Sequence, residues 1–175
     1  DAVSRELPEP SVGETLVVLA QGRDPGNVGT IIRTADAFGA VGVITVSGTV
    51  EATSPKVVRA SAGSVFHIPV CIVPSFEEAH ALIHRRSAAL LGTSGGVGSL
   101  DLSQMLVQGV SGRSRLSQSH AWVFGNEAKG LSGAEMRLCD ALVSIPMTGD
   151  AESLNVASAA TACLFASQTV RGMTL

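Results

Sequence analysis

Apolar residues in this 175-residue chain fall in short unbroken runs, separated by stretches with helical spacing. The runs TLVVLAQ (15–21), VGVITVS (41–47), IPVCIV (68–73), AALLGTS (88–94), HAWVFGN (120–126) and ALVSIPM (141–147) read as strands. They are continuous rather than alternating, as strands covered on both faces require. Between them, GNVGTIIRTADAFG (26–39) reads as a helix closed by Gly39. SPKVVRAS (54–61) reads as a short helix with Ser54 as cap and Pro55 at its first position. SFEEAHALIHRR (75–86) and SGAEMRLC (132–139) each open on a Ser-x-x-Glu capping signature, Ser75 with Glu78 and Ser132 with Glu135. A last helix is expected over 153–171. Strands alternating with helices predict an α/β fold, a mostly parallel sheet flanked by helices. Residues 1–14, rich in Pro, Glu and Ser, read as a linker or tail, and 15–175 as one domain.

The last helix is unusual, because residues 153–170 carry no charge. Its length would suit a membrane span. Ser153, Asn155, Ser158, Thr161, Ser167, Gln168 and Thr169 lie inside it, however, and lipid would penalise them. Small side chains equally allow close packing on a sheet or a partner chain, so no membrane is expected. No signal peptide is visible. The three cysteines, Cys71, Cys139 and Cys163, form no CxxC pair, which points to free thiols in a reducing, cytoplasmic setting. A net charge of −3 argues against a broad basic face. If RNA is bound, the basic residues that hold it are clustered locally or supplied by another domain.

Most candidate chemistry is weak. His80 and His84 stand four apart, but no HExxH motif or cysteine pair accompanies them, so they read as solvated and no metal is expected. SGGVGS (94–99) lacks the third glycine of a dinucleotide fingerprint, although a glycine-rich loop beside a ligand remains open. No G-x-S-x-G supports a nucleophilic triad. Three segments stand out because polar residues sit at strand ends, where parallel sheets bind ligands. In DPGNVGTIIRTADAFG, Asn27 just precedes the helix and Arg33 lies within it; the bland readings are an N-cap and a snorkelling surface residue. In WVFGNEAKGLS, Glu127 beside Lys129 could be a surface pair. The third is IPMTGDAESLNVASAA (145–160).

NVGTIIRTADAFG, FGNEAKGLS and IPMTGDAESLNVASAA resemble, in order and spacing, the three signature motifs of the SpoU/TrmH family of RNA ribose 2′-O-methyltransferases, within the SPOUT superfamily. The resemblance covers about residues 15–171. It implies a sheet whose C-terminal segment threads a preceding loop to form a deep trefoil knot, one of the rare knotted folds. It also implies S-adenosylmethionine held in the knot, S-adenosylhomocysteine as product, no metal, and a homodimer with the knot near its interface. Thr93, Gly125, Asn126, Ile145, Met147 and Leu154 match cofactor-binding positions. Asn27, Arg33, Glu127, Ser153 and Asn155 match the polar set around the reacting ribose, with Ser153 and Asn155 expected in the first turn of the last helix. Arginine is a poor base, so a guanidinium on the target phosphate is an alternative role for Arg33.

Many ribosomal-RNA enzymes of this family carry an N-terminal RNA-binding domain, and SRELPEPSVGET resembles the linker that would follow one. Ribosomal RNA is therefore the expected substrate. A tRNA ribose methyltransferase and a non-catalytic knotted dimer that binds RNA or cofactor are the alternatives. Arg113 and Arg115 in a polar loop (107–120), with Lys56, Arg59 and Arg33, are the candidate RNA contacts.

Overall fold

The computed structural model describes residues 6–109 and 111–174. The strands are β1 (Thr15–Leu19), β2 (Gly42–Val46), β3 (Val70–Val73), β4 (Ala89–Thr93), β5 (Leu100–Asp101), β6 (His120–Phe124) and β7 (Ala141–Ser144). The helices are α1 (Pro25–Ala37), α2 (Pro55–Ala60), α3 (Phe76–Arg85), α4 (Leu102–Gly109), α5 (Gly133–Leu138) and α6 (Val156–Thr174). The strands form one sheet in the order β3-β2-β1-β6-β4-β7-β5, and every pairing is parallel. Alternate residues face opposite layers. Val17, Leu19, Trp122 and Phe124 join the core beneath α1 and α6, while Leu16, Val18, Ala121 and Val123 join the core beneath α3. Both faces being covered explains the unbroken apolar runs; each large aliphatic side chain removed from water contributes about 1.5–3 kcal/mol.

The expected caps form. Ser54 accepts from the Val57 N–H and Ser75 from the Glu78 N–H, while Ser132 and Glu135 satisfy each other reciprocally. Gly39 takes φ +68° after α1, and the Gly39 and Ala40 N–H groups close back onto Asp36 and Ala35. Two boundaries differ from the sequence expectation. α1 is capped by Asp24, whose carboxylate accepts from the Asn27 N–H at 2.8 Å, so Asn27 lies inside the first turn and is not the cap. α6 begins at Val156, because the Asn155 side-chain oxygen accepts from Ala157 N–H at 2.8 Å; Ser153 and Asn155 therefore precede the helix rather than sit in its first turn.

β5 and α4 are additions to the sequence reading. LSQMLVQG is too short for a clear period, but the Asp101 carboxylate accepts from the Ser103 and Gln104 N–H groups and starts the turn. α4 buries Leu102 and Met105. β7 lies between β4 and β5, so the 94–99 connection crosses the end of a strand that comes later in the chain. A crossing of that kind is what threading the C-terminal segment requires.

Two buried polar clusters hold the ends of the chain. In the first, Ser167 of α6 accepts from Trp122 Nε1 at 2.8 Å and lies 2.7 Å from His120 Nε2. His120 Nδ1 lies 2.7 Å from the Gln118 carbonyl, which can only accept, so Nδ1 carries the proton and Nε2 accepts from the Ser167 hydroxyl. Burial pushes the His120 pKa down to about 4, with Arg171 adding to the fall and the Gln118 hydrogen bond opposing it. In the second, Arg86 donates to both Glu14 carboxylate oxygens at 2.7 and 2.8 Å and to the Pro8 carbonyl at 2.8 Å. Residues 6–14 are thus strapped to the domain rather than forming a free tether; residues 1–5 lie outside the described residues.

Candidate functional site

A cleft of about 480 Å³ opens where β4, β6 and β7 end. Three loops make it. The chain leaving β4 supplies Thr93, Ser94 and Gly95, the loop after β6 supplies residues 125–131, and the segment from β7 to α6 supplies Ile145, Met147 and 152–154. That segment follows directly from parallel topology, which brings all strand C-termini to one edge.

The loop after β6 is folded tightly on itself. Asn126 and Gly130 exchange backbone hydrogen bonds at 3.1 and 2.8 Å, and Asn126 Oδ1 accepts from the Ala128 and Lys129 N–H groups. Gly125 allows this closure, since a Cβ there would lie 2.5 Å from both the Gly130 carbonyl oxygen and the Leu131 nitrogen. Thr93 Oγ1 donates to the Val123 carbonyl at 2.9 Å, so its hydroxyl joins two strand ends. Leu131, Val143, Ile145 and Leu154 give the cleft apolar walls. Met147 and Leu154 remain 42% and 43% exposed, an apolar rim that a bound ligand would cover.

The polar set is held from the α1 side. Glu127 lines the cleft, and its Oε1 accepts from the Arg23 and Asp24 N–H groups at 3.2 and 3.0 Å. This bond fastens the β6 loop to the entry of α1, so Glu127 is engaged with backbone amides rather than with Lys129. Asn155 Nδ2 donates to Asn27 Oδ1 at 3.1 Å, which joins the start of α6 to the start of α1. Ser153 lines the cleft, whereas Asn27 and Asn155 do not. Arg33 stands six residues beyond Asn27 on the exposed face of α1, outside the cleft lining.

Of the sequence-derived cofactor positions, Thr93, Gly125, Asn126, Ile145, Met147 and Leu154 all line the cleft. The candidate RNA contacts divide. Lys56 and Arg59 are exposed on α2, which follows the C-terminal end of β2. Arg113 and Arg115 are exposed but precede β6, at the edge where strands begin, and the structure does not bring them to the cleft. Sequence reasoning missed Ser94, Leu131, Met136, Lys129 and Glu152 as lining residues. The glycine-rich SGGVGS run gave a signal for Ser94 and Gly95, and Lys129, Leu131 and Glu152 lie within the quoted motifs without having been singled out; Met136 is brought in by packing of α5.

Burial, with Asp140 and then Glu135 nearby, pushes the Cys139 thiol up to about 12. Among the described residues no group of three His, Cys, Asp or Glu side chains could hold a metal ion. His84 Nε2 lies 3.3 Å from the Asp140 carboxylate, and the His80 and His84 rings stack 4.2 Å apart. No helix among the described residues is long and apolar enough to cross a membrane.

Comparison with known proteins bears on the whole domain. Residues 14–165 match the SpoU rRNA Methylase family. The chain is 42% identical over 146 residues to a 23S rRNA (uridine(2479)-2′-O)-methyltransferase of Streptomyces viridochromogenes, covering 81% of this chain and 47% of that protein. It is 37% identical to the 23S rRNA (guanosine(2553)-2′-O)-methyltransferase RlmP of Bacillus subtilis, covering 79% and 51%. The chain spans about half the length of these curated relatives. The crystal structure of the SpoU methyltransferase AviRb from Streptomyces viridochromogenes in complex with the cofactor AdoMet superposes with a TM-score of 0.79 at 38% identity, covering 93% of this chain and 61% of that one. The AviRb structure described without that cofactor gives 0.82 at 37% identity, covering 94% and 62%.

Proposed function

Because this chain belongs to the SpoU rRNA methylase family, we propose that it transfers a methyl group from S-adenosylmethionine to a ribose 2′-hydroxyl of ribosomal RNA. The observation that carries the reading is the cleft itself. Two of the three family-like motifs build its walls and floor, and the first motif, on α1, is fastened to it by Glu127 and Asn155. The residues fit the methyl donor. About 480 Å³ falls in the range of small-molecule sites, with apolar walls and backbone groups at the strand ends. Ile145, Met147 and Leu154 would enclose the adenosine, and the tight turn at Gly125 and Asn126 would offer backbone hydrogen bonds.

Bound there, S-adenosylmethionine supplies an electrophilic methyl on a sulfonium. The 2′-oxygen lone pair would form the new O–C bond while the C–S bond electrons stay on sulfur, and the hydroxyl proton would pass to water. The chain's own task is orientation, with polar groups near the oxygen that gains charge. Ser153 borders the cleft, and Arg33 offers a guanidinium for the target phosphate. We read the protein as acting where ribosomal RNA is made and assembled, in the cytoplasm.

The reading includes a homodimer. α6 exposes Ser158, Thr161, Phe165, Gln168 and Gly172, an uncharged stripe with alternating three- and four-residue spacing. Phe165 is 53% exposed and packs edge-on against Phe38 beside α1. A second copy is the occupant that places such a stripe against its like, next to the strand-end cleft. Calorimetric titration of S-adenosylmethionine, with light scattering on the same sample, tests both statements. Micromolar binding to a dimer, with Arg33→Ala abolishing transfer to ribosomal RNA, is expected. A folded dimer that binds no S-adenosylmethionine would sink the cofactor assignment, and a monomer would sink the dimer.

A further inference from the structure

Asn155 and Asn27 meet beside the cleft, and their partners leave only one way to orient both amides. The two ends of a carboxamide differ in chemistry: the oxygen accepts and the NH2 donates. Backbone N–H groups of Ala157 and Ser158 lie 2.8 and 3.4 Å from one end of the Asn155 amide, so that end is the oxygen. The other end is therefore NH2, and the Asn27 atom 3.1 Å from it must be the acceptor, Oδ1. Asn27's backbone N–H is already held by the Asp24 carboxylate. What Asn27 has left is its NH2, for which no hydrogen-bond partner is found among the described residues.

We propose that Asn155 is a positioning residue, which turns the Asn27 carboxamide so that its NH2 donates a hydrogen bond to an oxygen of the target ribose. This rests on the methyltransferase reading given above. The cleft is lined by Ser153, Leu154 and Val156 but not by Asn155 or Asn27, so the pair stands beside the methyl-donor pocket rather than in it. The acceptor is accordingly on the RNA. A primary-amide NH2 cannot take up a proton. Asn27 instead orients the ribose and stabilises the partial negative charge its oxygen carries as the hydroxyl proton departs to water; the forming O–CH3 bond then takes up that charge while the S–CH3 electron pair stays on sulfur. One residue thus couples two tasks: Asn155 starts α6 with its oxygen and sets the reacting amide with its nitrogen.

The variant Asn155→Asp separates those tasks. It keeps a capping oxygen, which suits a helix N-terminus, and removes the donor. Asn27 then rotates to give its NH2 to the new carboxylate and presents oxygen to the ribose. Asn155→Ser, with a cap but no NH2 and no charge, guards against a purely electrostatic effect. Single-turnover transfer to a large-subunit ribosomal RNA transcript is expected to fall roughly 100-fold in both variants. Calorimetric affinity for S-adenosylmethionine should stay within about twofold and the melting temperature within about 2 °C. Asn27→Ala combined with Asn155→Asp should fall no more than about twofold below Asn27→Ala alone, since the two act as one unit. The side-chain amide NMR signals of Asn27 should move in Asn155→Asp even without RNA. Unchanged Asn27 signals, or an Asn155→Asp rate equal to wild type, overturns the inference. A wild type that methylates no ribosomal RNA, while Asn27 still responds to Asn155→Asp, instead overturns the functional reading and with it the ribose as acceptor.

Discussion

Acid should loosen this domain through one residue, His120. The ring is fully buried between β6 and α6, with Nδ1 donating to Gln118 and Nε2 accepting from Ser167. A neutral ring satisfies every partner, whereas a charged one has no compensating anion. Its pKa falls from 6.5 to about 4 in the folded chain, chiefly through burial. A depressed folded pKa means that the unfolded state takes up the proton first. The contribution is therefore fully present above about pH 6.5 and drains away as pH falls toward about 4. Linkage over that window gives a loss of about 2 kcal/mol between about pH 7.5 and about pH 5. Glu14 does not confuse the result, because its lowered pKa matters only below the ordinary carboxylate range. Urea unfolding at the two pH values, for wild type and His120→Gln, measures the effect. The variant should be less stable at neutral pH but should lose about 2 kcal/mol less on acidification. Equal pH slopes in the two proteins would refute the argument.

Gly125→Ala should weaken S-adenosylmethionine binding at least about tenfold by calorimetry, because its Cβ meets the Gly130 and Leu131 backbone rather than a movable side chain. Retained affinity would mean that the loop relaxes without reshaping the cleft. Arg86→Ala leaves the buried Glu14 carboxylate without its bidentate partner, so denaturant unfolding should show a loss of about 3–5 kcal/mol. Arg86→Ala with Glu14→Gln should recover part of that loss, and recovery of none would mean that the cost lies in packing.

The sequence by itself determined the layers and, through the motif resemblance, many of the residues that line the cleft. Unbroken valine, isoleucine and leucine runs have one economical home, a parallel sheet covered on both faces, and the serine caps mark helix starts by local hydrogen bonding alone. The three polar motifs were legible for the same reason: their residues sit at strand ends, and parallel strands share that edge. α4 was not legible, since eight residues offer little periodicity and its start depends on a single Asp101 carboxylate. The boundary at Val156 was missed because Asn155, expected inside the first turn, spends its oxygen on the cap. Strand order, and with it the crossing of 94–99 over β7, was beyond sequence reasoning, because only long-range pairing decides it. The same holds for the polarity of α6. Ser167 read only as one of seven polar residues that lipid would penalise, and tertiary packing gave it its role by bringing His120 and Trp122 to it. Arg113 and Arg115 show the converse, since charge composition proposes a contact but only the direction of β6 decides which edge it occupies. Local patterns are written in neighbouring residues, whereas partners more than a hundred positions apart, such as Asn27 and Asn155, are chosen by the fold.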